Sequence, residues 1–325
     1  MATKVLVIVG PTGVGKSALA MRLARDFDGE IIGADSRQVY RYMSIGTAKP
    51  SDADRAEIPH HLVDIIEPDK RYSLALFLRQ AGPTIHNAKK VRGRLPLVVG
   101  GTGQYIWGLL EGWQVPEVNP NAKLRETLEA WVESEGIEAL YEELRRLDAG
   151  AAERIDGRNP RRVVRALEIA LSRDSDATEI ENAQRPRKTP PDYDAMVVGL
   201  TMERAALYAR IDTRIDAQMA AGWLDEVRGL RERGYGLEHA ALSGLGYAEL
   251  IRQLDGDLPL DEAVQRIKYR THRYARQQYN WFRLTDERIR WLDTPVEDET
   301  YDTLASDVRR WLATGQLHGQ IVRGE

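Results

Sequence analysis

Eight residues near the start of the chain, Gly10-Pro11-Thr12-Gly13-Val14-Gly15-Lys16-Ser17, are of the types and in the order that hold a row of phosphates. Glycines let the backbone curl so that successive N–H groups face an anion, and a following helix adds its positive end. Lys16 supplies a mobile positive charge, and Ser17 a hydroxyl suited to Mg²⁺. The elements needed to carry such a loop are present on both sides. Val5-Leu6-Val7-Ile8-Val9 is an unbroken apolar run that reads as a buried strand, and Leu19, Leu23 and Phe27 recur at helical spacing after the loop. A glycine-rich turn without a ligand would not require this register of strand, loop and helix. The loop is expected to bind a di- or triphosphate.

Two further strand ends deliver chemistry to the same edge. Glu30-Ile31-Ile32-Gly33-Ala34 reads as a short strand leading into Asp35-Ser36-Arg37-Gln38-Val39-Tyr40. In an open parallel sheet, ligand-handling groups lie beyond the carboxyl ends of the strands, so Asp35 is placed beside whatever the phosphates carry. Its alternative role is a cap or turn residue. Leu95-Pro96-Leu97-Val98-Val99 is another buried strand, and it ends in Gly100-Gly101-Thr102-Gly103, where Thr102 offers a hydroxyl. No aspartate ends that strand, where many ATP hydrolases place a second Mg²⁺ carboxylate, which weakens a reading as ATPase or kinase. His60-His61 are adjacent, project differently and have no cysteine partner, so they read as structural or lining residues.

The chain has 325 residues, 42% hydrophobic and 30% charged, ample for a large core. It has no cysteine, which excludes disulfides and thiolate metal sites. Met1-Ala2-Thr3-Lys4 runs directly into the first strand, and no apolar run approaches the ~20 residues that cross a bilayer. A cytosolic, membrane-free protein is expected, with nothing that demands a dimer. The net charge of −4 argues against a general nucleic-acid coat but says nothing of local patches.

From Pro116 to Pro191 the pattern is nearly all helical, with packing stripes at Leu124, Leu128, Trp131 and Val132 and at Ile137, Leu140, Tyr141, Leu144 and Leu147. Arg158, Arg161, Arg162 and Arg165 fall near one face if that stretch is helical, either as an RNA contact or as a solvated face. A polar connector with Arg185-Pro186-Arg187-Lys188 precedes the strand Ala195–Leu200, so the helical block reads as an insertion into an α/β core. Between Val264 and Thr285 stand six Arg or Lys and no acid, interleaved with Tyr269, Tyr274, Tyr279, Trp281 and Phe282. Cations match phosphates and aromatic planes stack on unpaired bases; in a chain of net charge −4 this segregation favours RNA contact over an amphipathic helix with solvated arginines.

The ordered series of Gly10 to Ser17, Asp35 to Tyr40, Ile45-Gly46-Thr47-Ala48-Lys49-Pro50, Pro59-His60-His61-Leu62 and Gly100 to Gly103 resembles the bacterial tRNA dimethylallyltransferase family. Asn159-Pro160-Arg161-Arg162, Arg165 to Glu168, Arg210-Ile211 with Arg214 and Met219, Gly246-Tyr247, and Arg276-Gln277-Gln278 with Trp281 extend the similarity to about residue 293. Tyr42 departs from a common glycine and Gln104 from a usual apolar residue. The loop before Gly246 has no cysteine, and the zinc finger of eukaryotic relatives is absent.

The resemblance implies a P-loop NTPase-like α/β fold, a parallel sheet core (1–115 and 192–325) with an inserted, mostly helical domain (116–191). It implies transfer of a dimethylallyl group from its diphosphate to N6 of the adenosine next to the anticodon, with Mg²⁺ at Ser17. Asp35 would take the proton of a poorly nucleophilic amine. The loop, Lys16 and Arg214 would stabilise the leaving diphosphate, and Thr102 would bond its bridging oxygen. Contacts with the tRNA anticodon stem-loop are implied in the core for Asp35, Ser36, Arg37, Gln38 and Thr102. The insert would add Arg125, Arg161, Arg162 and Arg165, and the C-terminal third Gly246, Tyr247, Arg273, Arg276, Gln277, Gln278 and Trp281. A small-molecule kinase and a non-catalytic RNA-binding switch stand as alternatives; the switch predicts that Asp35→Ala keeps full function.

Overall fold

A strand with no polar alternation must be covered on both faces, and β1 (Thr3–Val9) is: Val5 through Val9 are each 0% exposed. The computed structural model describes residues 2–115, 122–173 and 191–314. After β1 come α1 (Lys16–Asp26), β2 (Gly29–Gly33), α2 (Asp52–Glu57), β3 (His60–His61), α3 (Leu74–His86), β4 (Leu95–Val99) and α4 (Gly103–Leu110). A helical stretch follows, with α5 (Ala122–Leu147), α6 (Ala149–Glu153) and α7 (Pro160–Arg173). The chain then forms β5 (Tyr193–Thr201), α8 (Arg204–Ala220), α9 (Trp223–Glu232), α10 (Tyr247–Leu254), α11 (Leu260–Gln278), β6 (Ile289–Asp293) and α12 (Asp298–Thr314). Among the described residues no helix is long and apolar enough to cross a membrane.

Six strands form one parallel sheet in the order β3-β2-β4-β1-β5-β6. The register sets Ile8 and Gly33 both opposite Val99, so the chain leaves β1, β2 and β4 side by side. Ladder bonds continue one step past the strands: Gly100 N–H donates to the Ile8 carbonyl at 3.1 Å and Ala34 N–H to that of Val99 at 2.8 Å. Three loops far apart in sequence therefore start from one edge, at the position where open α/β sheets bind ligands.

The chain divides into two compact units, one of Met1–Gly112 with Pro190–Glu325 and the other of Trp113–Thr189. In the second unit α5 breaks at Gly136, whose φ of 87° no helix accommodates. The two halves then fold onto α7, and Leu128, Leu140, Leu144, Val163 and Leu167 form its buried core. The expected packing stripes are this core. Arg158 does not join Arg161, Arg162 and Arg165 on a helical face. Pro160 opens α7, a position where its missing N–H is not needed, and Arg158 lies ahead of it, paired with Asp156 at 3.0 Å. The connector Arg185–Lys188 lies outside the described residues.

Candidate active site

The loop after β1 wraps around its own lysine. Gly10, Gly13 and Gly15 all have positive φ, which bends the backbone into a cup at the start of α1. Lys16 Nζ donates back to the carbonyls of Gly10 (2.9 Å) and Pro11 (2.8 Å). Burial lowers its pKa to about 8, Asp35 opposing that shift and Arg214 adding to it. Lys16 is thus cationic at neutral pH, close to its titration point, and near both an acid and a guanidinium.

Arg214 comes from α8. Its Nη2 donates to Thr12 Oγ1 at 3.0 Å, while its buried Nε has no partner among the described residues. Burial lowers the pKa of this guanidinium, Asp35 raises it, and Arg210, one turn earlier on α8, lowers it again. Arg210 leans on the outside of the loop: a methyl placed on Gly15 would sit 3.5 Å from its Nη2. A buried cation with an idle donor is unfavourable in isolation, and an anion beside it would remove that penalty.

Asp35, just past β2, caps a turn, one of the two roles the sequence left open. Its Oδ1 accepts from the N–H groups of Arg37 (2.8 Å) and Gln38 (3.3 Å), a turn-capping pattern. Its charge acts on Lys16, Arg214, Tyr105 and Tyr274 together. Thr102 stands alongside, its Oγ1 accepting from Ser36 N–H at 3.3 Å. The Tyr274 phenol, from α11, is held well above its ordinary pKa by burial, with Asp35 adding to the shift and Arg37 and Thr102 opposing it. Tyr274, Tyr105 and Arg210 are site neighbours that sequence reasoning did not single out. The signal for Tyr274 was its place in the aromatic-basic stretch, but only the packing of α11 takes it to Thr102.

Several residues expected to meet RNA make hydrogen bonds to other parts of the protein. Arg37 Nη1 donates to the carbonyls of Ala240 and Ala241, and Gln38 Nε2 to those of Thr47 and Ala48. Tyr247 is 2% exposed with its hydroxyl on Glu226, and a methyl on the buried Gly246 would lie 2.2 Å from the Trp223 ring. Gln278 is buried as well. These positions read as RNA contacts because the sequence shows residue type but not burial. The basic stretch is also partly neutralised: Arg266 pairs with Glu262, Lys268 with Asp216 and Arg270 with Glu249, while Phe282 is core. Arg273, Arg276, Gln277 and Trp281 do reach solvent. In the helical unit Arg161 and Arg162 are exposed on α7, whereas Arg125 and Arg165 both pair with the buried Glu168.

His60 and His61 are structural: His61 Nε2 bonds Glu30 at 2.8 Å and His60 Nδ1 the Ile58 carbonyl at 2.7 Å. Among the described residues no group of three or more acids or histidines could hold a metal ion.

Residues 38–285 match the family model described as IPP transferase, and residues 3–59 the one described as isopentenyl transferase. The chain belongs to the IPP transferase family. Within it, the chain is 51% identical to the tRNA dimethylallyltransferase of Roseiflexus castenholzii over 86% of this chain and 89% of that relative. It is 46% identical to that of Thermomicrobium roseum over 98% and 94%. The crystal structure of the full-length tRNA isopentenylpyrophosphate transferase from Bacillus halodurans superposes with a TM-score of 0.68 at 37% identity, covering 96% of both chains. A eukaryotic dimethylallyltransferase acting on tRNA superposes with a TM-score of 0.79 at 28% identity, over 99% of this chain and 81% of that one. Tyr42 has φ +65°, the left-handed region that favours glycine, with the Arg233 guanidinium 4.5 Å from its ring centre.

Proposed function

We propose that this chain transfers a dimethylallyl group from dimethylallyl diphosphate to N6 of the adenosine 3′-adjacent to the anticodon, position 37, in tRNAs that read codons beginning with U. The observation that carries this reading is the convergence at one sheet edge of the phosphate loop, which holds Lys16 and is bonded by Arg214 of α8, with the turns that carry Asp35 and Thr102. A proton acceptor and a diphosphate cradle then sit on either side of one reacting carbon.

In the reaction the bond from C1 to the bridging oxygen breaks, C1 bonds to N6, and one N6 proton leaves. Diphosphate is the leaving group. The adenine must leave its stack to enter, since N6 inside a stacked helix cannot reach the loop. With Oδ1 of Asp35 held by two N–H groups, Oδ2 takes the N6 proton. Charge growing on the leaving oxygens is met by the loop N–H groups, Lys16 and the idle Nε of Arg214, with Thr102 at the bridging oxygen. Ser17 is the residue that would hold Mg²⁺, which would supply further charge neutralisation. A hydroxyl without a carboxylate cage suits an ion that keeps most of its waters and binds through substrate phosphates.

The RNA-facing groups are Arg273, Arg276, Gln277 and Trp281 in the core unit and Arg161 and Arg162 in the helical unit. The protein acts as a monomer in the cytoplasm, where its tRNA substrates are. The test is incubation with labelled dimethylallyl diphosphate, Mg²⁺ and unmodified tRNA, with guanosine replacing the target adenosine in half the samples. Label in the adenosine RNA alone supports the reading. Label in neither RNA, together with ATP consumption, moves the assignment to a small-molecule kinase.

A further inference from the structure

The loop after β1 and the turn after β4 are joined by one side chain from α11. Gln278 is 4% exposed; its Oε1 accepts from Thr12 N–H at 2.8 Å and its Nε2 donates to the Gly101 carbonyl at 2.9 Å. A carboxamide has one acceptor and one donor group, and both are used on backbone of two different loops.

The neighbouring contacts leave no slack. A methyl on Gly101 would lie 2.1 Å from Gln278 Nε2, and one on Gly103 would lie 2.3 Å from Trp281 Cβ. Trp107 Nε1 donates to the Trp281 carbonyl at 2.9 Å. Gly101 and Gly103 therefore each touch α11 or the residues just after it. On the other side of the same helix, Arg273, Arg276 and Gln277 face solvent. Thr12, the loop end of the bridge, also accepts from Arg214. A helix cannot shift its outer face without carrying its inner face along, so a displacement at Arg273 or Arg276 reaches Thr12 and Arg214 through Gln278.

We propose that Gln278 is a positioning residue that couples diphosphate binding in the loop to RNA binding on α11, an inference that rests on the RNA reading above. RNA seated on the exposed face holds α11, and through the amide holds the loop in its receiving shape. The coupling is reciprocal: diphosphate tightens RNA by the factor with which RNA tightens diphosphate.

The test uses the full chain and inorganic diphosphate as the probe. Its Kd, with Mg²⁺, is measured by calorimetry without and with a saturating unmodified anticodon stem-loop whose own binding is titrated first. In the natural sequence RNA tightens diphosphate by about fivefold or more. In Gln278→Met, similar in shape but without either hydrogen bond, both ligands bind and the ratio falls to about one. Gln278→Glu keeps the acceptor for Thr12 and loses the donor to Gly101; its ratio also falls, which covers the case in which the methionine variant fails to fold. A merely structural role would weaken both Kd values for diphosphate equally and leave their ratio intact, and that outcome overturns the proposal. A ratio of one in the natural sequence with RNA bound overturns the coupling alone, whereas RNA that does not bind overturns the RNA reading and the coupling with it.

Discussion

Arg214 Nη2 donates to the Thr12 hydroxyl at 3.0 Å, joining residues 202 positions apart, while Nε of the same guanidinium is buried without a partner among the described residues. One side chain thus braces the phosphate loop and, in the proposed function, offers a free donor to its ligand. Replacing Arg214 by Lys keeps a charge but loses the planar fork. We expect kcat/KM to fall by about 10²–10³, the usual effect of removing one donor to a developing anion. Folding stability should change little, because the buried unpaired donor disappears with the guanidinium. Steady-state kinetics beside denaturant midpoints separate the two effects; an unchanged kcat/KM would remove Arg214 from the diphosphate.

Lys16 gives the site a pH limit with a definite sign. Burial has lowered its pKa to about 8, so in the free protein it is protonated below that value and neutral above it. An anion favours the protonated form. Diphosphate affinity should therefore be full below pH 8 and weaken above it, by up to about tenfold per pH unit. Lys16→Arg stays charged throughout and should lose this step. Calorimetric Kd values for diphosphate between pH 6.5 and 9.5, compared between the two proteins so that the titration of the ligand cancels, provide the measurement.

Asp35 caps a turn and, in the proposed mechanism, accepts a proton, and two substitutions divide these roles. Asp35→Asn keeps an oxygen for the Arg37 and Gln38 N–H groups, so the fold should hold while turnover falls by about 10²–10⁴. Asp35→Ala removes the cap too and should cost about 1 kcal/mol of stability in addition. Single-turnover rates and thermal melts on both variants decide the matter; full turnover in Asp35→Asn would exclude the carboxylate as base.

Tyr42 carries strain that glycine would not. A side chain in the left-handed region costs roughly 1–2 kcal/mol, offset in part by the stacked Arg233. Tyr42→Gly should leave stability within about 1 kcal/mol of the parent or raise it. Tyr42→Val, branched at Cβ and unable to stack, should lower it further than Tyr42→Gly. Urea midpoints of the three proteins rank them.

The phosphate loop was legible because its signal is local: glycine spacing, lysine, a strand before and a helix after all lie within 25 residues. The same holds for Asp35 and Thr102, each at the end of an apolar run whose parallel pairing that run dictates. The insertion was legible from a change of period. What could not be read was which polar side chains turn inward. Arg37, Gln38, Tyr247 and Gln278 look like recognition residues by type, but their partners, Ala240, Thr47, Glu226 and Thr12, are named only by the folded chain. The basic tail likewise lost half its apparent charge to Glu262, Asp216 and Glu249, all outside the stretch and two of them on other helices.

Residue order alone determined the chemistry available to this protein: a phosphate cup, a carboxylate and a hydroxyl at three strand ends, with arginines in reserve. Strand periodicity and loop glycines act over a few residues, so they survive in one dimension. Tertiary structure decided which of these groups share a site and which hold it together. Hydrogen bonds and ion pairs between residues such as Gln278 and Thr12, 266 positions apart, depend on distances that only packing of the apolar core sets.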